Sequence, residues 1–150
     1  MSAYEFTMSL RVRHPAIDPG RITQALGIEP QHLWRAGQRR TDPAGQPLEG
    51  THHDSYWMSR LIEDPRLSGG KFSVESLLEQ TLARLRRAQP LFDELRAGGG
   101  VAELDLILFA RENFRLDLSG ESLAALHRLG LRVALEVRML SPSSAVHAEA

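Results

Sequence analysis

Apolar and polar residues alternate without a break from Tyr4 to Arg13. Tyr4, Phe6, Met8, Leu10 and Val12 share one parity; Glu5, Thr7, Ser9, Arg11 and Arg13 share the other. Side chains on a strand point to opposite faces in turn, so this period predicts a strand with one dry and one wet face. Leu131–Leu140 repeats the pattern, with Leu131, Val133, Leu135, Val137 and Met139 expected to point inward. Between these ends the pattern changes period. Ile22, Ala25 and Leu26 are spaced for a short helix, opened by Asp18-Pro19 and closed by Gly27 with Pro30 beyond it. Leu26 is its expected docking residue. Val74, Leu77, Leu78, Leu82 and Leu85 form the stripe of a second helix capped by Ser73, with Phe72 and Leu77 as a hydrophobic staple. Pro90 ends or kinks that helix, and a helical turn follows over Leu91–Arg96. Ser119 caps a last helix with Leu123, Leu126 and Leu129 inside and Gly130 at its end.

Residues 36–54 are polar and rich in Gly and Pro, which predicts a long loop; a strand follows around Ser55–Leu61. Residues 101–110 and 114–118 look like an antiparallel pair. The order is then β-α-loop-β-α-α-β-β-α-β. It predicts an α+β two-layer sandwich, a mixed sheet of about five strands with helices on one face, as a ferredoxin-like variant. A doubly wound α/β sheet is the alternative, but it would be apolar on both faces of every strand. One domain is expected over residues 1–140, with a frayed tail at 141–150.

The residues at the caps and turns also carry a resemblance. Asp18-Pro19, Ile22-Thr23, Leu26-Gly27-Ile28-Glu29-Pro30, Trp34-Arg35-Ala36-Gly37 and Trp57-Met58-Ser59 occur in that order. The leucine helix with Pro90, Ser119 with Leu123, and Leu129-Gly130-Leu131 follow. In this the chain resembles an uncharacterised bacterial family, domain of unknown function 4279, over roughly residues 5–140. The resemblance implies a small stand-alone bacterial domain without an assigned activity, and it carries over no catalytic residue.

Composition narrows the chemistry. There is no cysteine, so disulfides, thiolate metal sites and a cysteine nucleophile are excluded. The net charge of −1 argues against a protein built around nucleic-acid phosphates. The wet positions of the first and last strands hold no aromatic residue for base stacking. No run approaches a membrane span and the start does not read as a signal peptide, so the expectation is a cytoplasmic protein with neither membrane nor nucleic acid as partner. Of the 18 basic residues only Lys71 is not Arg; arginine suits bidentate anion binding, but the codon use of a GC-rich genome is the preferred explanation.

No nucleophile elbow or phosphate loop is present, and Ser68-Gly69-Gly70 and Gly98–Gly100 read as turns. His52 and Asp54, one residue apart on an extended chain, could share a metal with a third ligand such as His14 or His32; the plain alternative is a solvated loop. No cofactor is expected. The preferred site is where the 36–54 loop meets the sheet, at Trp34, Arg35, Gly37, Arg40 and Trp57. There an aromatic, a permissive glycine and guanidinium forks would suit an anion or a flat ring, while core tryptophans beside solvated arginines are the alternative. Ile107 and Phe109 fall by parity on the otherwise polar face and need a cover. The expected function is a non-enzymatic protein-interaction module, such as an immunity or accessory protein. The alternatives are a small-molecule sensor and a metal-assisted hydrolase using the 52–54 segment. Expected partners are a protein or a small anionic ligand, and the polar sheet face leaves room for a homodimer.

Overall fold

A computed structural model describes residues 3–63 and 72–141. Ser68-Gly69-Gly70, Lys71 and the expected tail from residue 142 lie outside the described residues.

The alternating first segment is strand β1, Tyr4–His14, and it occupies the middle of the sheet. Its even-numbered apolar side chains are all buried, while Arg11 and Arg13 are exposed. Asp18 Oδ1 accepts from the Gly20 N–H at 3.0 Å and opens α1, Pro19–Leu26. Gly27 closes it in the left-handed region at φ 66°, donating its N–H to Thr23 O. Ile22, not Leu26, is the residue α1 sinks into the core; Leu26 is only partly buried and Ala25 is exposed. Eight residues give a narrow contact, and the Ile22 side lies nearest the sheet.

The expected loop over 36–54 contains a β-hairpin. After β2, His32–Trp34, the chain forms a separate hairpin of β3, Arg39–Thr41, and β4, Pro47–Thr51. Asp42 turns its tip, with Oδ1 accepting from Ala44 N–H and Gln46 N–H. The strand signal was hidden because nearly every side chain of the hairpin is exposed, so no apolar alternation marks it. Strand β5, Ser55–Ile62, then returns to the sheet beside β1.

Ser73 caps α2, Val74–Leu85, through its hydroxyl, which accepts from Ser76 N–H. Pro90 does not simply stop the helical stretch. A 3-10 turn at Arg86–Ala88 leads into α3, Gln89–Ala97, whose first turn holds the proline where no N–H is needed. Strand β6, Val101–Ala110, follows, then α4, Gly120–Leu129, and β7, Leu131–Met139.

The main sheet runs β2-β5-β1-β6-β7 and is antiparallel except for the β6–β7 pair, which α4 connects. Helices pack on the face formed by the even residues of β1 and β6, where one core includes Phe6, Leu10, Trp57, Leu78, Phe92, Leu104, Leu106 and Leu126. The fold is therefore an α+β two-layer sandwich on a mixed five-stranded sheet.

Three further local expectations fail. Residues 114–118 do not pair with 101–110, because β1 and β7 already take both sides of β6. They form no regular element, and Phe114, Leu116 and Leu118 pack against the core. Leu123 is exposed, since the buried side of α4 runs through Ser122, Ala125, Leu126 and Leu129, a quarter turn away. Leu135, Val137 and Met139 share the helix-side face with their β6 neighbours but lie beyond the helices' cover and are half or more exposed.

Candidate functional site

The opposite, polar face of the sheet ends in a groove of about 450 Å³. Register explains its lining. Trp34 on β2 pairs with Tyr56 on β5, which pairs with Arg13 on β1, which pairs with Val101 on β6. In the next row Arg11 faces Glu103, and Glu103 faces Arg132 on β7. Five strands thus bring together residues that are scattered over a hundred positions of chain.

The aromatic wall is a stack. The Trp34 ring lies on Tyr56 with centroids 4.4 Å apart and on His52 at 4.3 Å, with interplanar angles of 22° and 15°. The Arg13 guanidinium stands 5.9 Å from the Tyr56 centroid, within cation–π reach. Backbone from the hairpin holds the stack in place. Gly37 N–H donates to His52 O and His52 N–H donates to Gln38 O, each at 2.8 Å. Gly37 adopts φ 84°, a backbone conformation that L side chains rarely hold. The buried Ser55 hydroxyl accepts from Ala36 N–H at 2.9 Å and donates to Ile17 O at 2.6 Å, tying the hairpin's base to the start of α1.

The charges divide into paired and unpaired. Arg11 Nη2 sits 3.1 Å from Asp105 Oδ2. Arg13 and Arg132 have no carboxylate oxygen within 4.0 Å among the described residues, although Glu103 lines the same groove. Two guanidinium groups with free donors therefore stand beside an aromatic wall, an arrangement suited to a carboxylate or phosphate attached to a flat body.

Of the five expected site residues, Trp34 lines this groove. Gly37 supports it through His52. Arg35 and Arg40 are exposed on β2's end and on the hairpin and do not line it. Trp57 is fully buried on the helix side of β5, its indole N–H donating to Thr23 Oγ1 at 3.0 Å. Adjacent strand residues point to opposite faces, so Trp57 and the groove's Tyr56 part company. Tyr56, Arg11, Arg13, Glu103 and Arg132 were not singled out. Their signal was parity: each carries the polar-face position of its strand, but only the pairing register shows which ones meet.

Ile107 and Phe109 do lie on the polar face, opposite Thr7 and Glu5. Both are partly covered, and the Arg138 guanidinium stands 5.9 Å from the Phe109 centroid. His52 is stacked on Trp34, while Asp54 lies 3.6 Å from His53. His14 Nδ1 accepts the N–H groups of Ala16 and Ile17 and so shapes the exit from β1. Among the described residues no three His, Asp or Glu side chains gather closely enough to share a metal ion. Among them, too, no helix is long and apolar enough to cross a membrane.

No curated protein and no solved structure matches the chain. One family model does, that of a domain of unknown function, DUF4279, over residues 4–140.

Proposed function

The chain belongs to the DUF4279 family, and from its groove we propose that it is a non-enzymatic binding module whose ligand joins an anionic group to a flat ring. We read it as a bacterial cytoplasmic domain. The observation that carries the proposal is the pair Arg13 and Arg132, without carboxylate partners among the described residues, beside the Trp34–Tyr56 stack. A carboxylate or phosphate accepts bidentate bonds from such forks, and a planar group lies on the aromatic wall. The groove's volume falls in the usual range for small-molecule sites. Its open mouth on a sheet face also favours a second reading, in which an acidic side chain of a partner protein takes the same place, as in an immunity or accessory role.

Trp34 is the reporter. It is partly exposed in the groove while Trp57 is sealed in the core, so ligand-dependent fluorescence comes from Trp34. Titration with nucleotides and aromatic carboxylates is expected to change that fluorescence. Arg13→Ala and Arg132→Ala should each weaken binding by about tenfold or more, the worth of a charge-assisted bond. If both variants bind as tightly as the wild type, the groove is not the site. If no compound in the panel binds, the small-ligand form fails and the acidic-partner form stands to be tested by the same two variants.

A further inference from the structure

Strand β7 closes one side of the sheet, and no described strand pairs with its outer edge. It is nine residues long and pairs with β6 without a bulge from Ala102↔Leu131 to Ala110↔Met139. Its outer backbone donors and acceptors are therefore regularly spaced. Natural sheets blunt such edges with short strands, prolines, bulges or charged side chains; β7 is long, has neither proline nor bulge, and carries its charges on the polar face alone. Its helix-side face adds Leu135, Val137 and Met139, at 51%, 50% and 66% exposure, flush with the buried Leu106, Leu108 and Ala110 of β6. Its polar face carries Arg132, Ala134, Glu136 and Arg138.

We propose that two copies of this chain pair through β7, antiparallel and about a two-fold axis at Val137, joining their sheets into one. The sequence of β7 selects both the partner and the register. Residues directly opposite in an antiparallel pair project to the same face, so a two-fold normal to the sheet pairs like parity with like. Centred on Val137, Leu135 meets Met139 of the second copy, and Met139 meets its Leu135. On the other face Glu136 meets Arg138 of the second copy, again twice. These two residues already attract each other within one strand, 3.1 Å apart, so the axis would bring four alternating charges together. Among neighbouring registers, centring on Leu135 sets Arg132 against Arg138, and centring on Glu136 sets that carboxylate against itself. The one centred on Ala134 also opposes unlike charges, Arg132 to Glu136, but it leaves Met139, the most exposed of the apolar row, without a strand partner, since Leu129 belongs to α4. The apolar residues left uncovered in one copy are the ones this register covers with the other.

Sedimentation of the full chain over a wide concentration range is expected to show a mass rising towards twice that of the monomer. Val137→Arg, which sets two cations at the axis, should remain monomeric with an unchanged circular dichroism spectrum, since the site is half exposed and outside the core. Glu136→Arg and Arg138→Glu place like charges opposite each other twice, and each should weaken association by about tenfold. Mixed together, the two variants regain opposite charges at every position and should associate as strongly as the wild type. A wild-type chain that stays monomeric at the highest concentrations overturns the proposal. So does association that survives Val137→Arg, which would point to another surface such as the polar face. A chain cut after Ser141 that dimerises where the full chain does not would make the tail, not a second copy, the occupant of the edge. A mixture that does not recover would refute the register.

Discussion

The two edges of the sheet are built in opposite ways. At one edge β2 is three residues long, and the chain leaves it at once for the β3–β4 hairpin, whose base is fastened by Ser55 and by the backbone bonds around His52. At the other edge β7 runs nine residues and presents a half-exposed apolar row. The short edge can hold an aromatic stack because a strap fixes it, and it offers a second chain little to pair with. The long edge keeps its ladder, and its apolar row stops being core where the helices end. An apolar residue at the right parity is thus a core residue only where a second layer lies over it.

The sharpest way to break this comparison lies in one pair of neighbours. Leu106 and Leu135 face each other across β6 and β7 on the same side of the sheet, yet Leu106 is 1% exposed and Leu135 51%. Leu106→Ala should cost about 2–5 kcal/mol, transfer plus cavity, in chemical denaturation. Leu135→Ala, in protein dilute enough to be monomeric, should cost under about 1 kcal/mol, as at other surface positions. Equal losses would mean that the β7 row is as well covered as the core.

That same pair shows what could be read from the chain and what could not. The period-two patterns of β1, β6 and β7 state which residues share a face, and the caps at Asp18, Ser73 and Ser119 state where three helices begin. All of this is local, and local signals are what one sequence carries. How far a helix reaches over a neighbouring strand is not local, so Leu123, Leu135, Val137 and Met139 look like core from sequence and are not. The hairpin escaped because its strands are exposed on both faces, leaving Gly and Pro as the visible signal. In the groove, Trp34 and Trp57 were both visible as aromatics bordering the polar segment, but which of them faces the groove and which the core was not separable without the register. Arg13, Arg132 and Tyr56 became neighbours only through pairings with large sequence separation.

A smaller effect should come from the fastening at the short edge. Ser55 is buried, and its hydroxyl satisfies both the Ala36 N–H and the Ile17 carbonyl. Ser55→Ala leaves a donor and an acceptor without a partner, at an expected cost of about 1–3 kcal/mol. The loss should be local first. Hydrogen exchange is expected to quicken in β2–β4 before it does in β6 and β7. A uniform change across the sheet would show that the strap is not a separate unit at this edge.

The smallest effect at neutral pH tests how far cover reaches along the row that ends at the open edge. Tyr4, Ala110 and Met139 are aligned across β1, β6 and β7; Tyr4 is 8% exposed and Met139 66%. Tyr4 is covered by α2, whose Val74 N–H donates to the phenol oxygen at 3.2 Å, and by Phe114, with ring centroids 4.8 Å apart. Burial pushes its phenol pKa above the usual value of 10.0; the Val74 bond pulls the other way and the nearby Glu75 carboxylate raises it further. The native state therefore holds this proton more tightly than the unfolded chain does. Its contribution is complete below the unfolded pKa near 10 and is lost as the pH climbs from there through the higher folded value. Denaturation midpoints should fall above about pH 10 in the wild type, and Tyr4→Phe should flatten that fall. At neutral pH the same variant keeps the ring packing and loses the bond from Val74 N–H, worth about 0.5–1.5 kcal/mol. If the alkaline slope is the same with and without the phenol, Tyr4 titrates as freely in the native state as in the unfolded chain. The cover over β1 would then fray at this end of the sheet as it does at Met139, and the contrast between the covered row and the open edge would be lost.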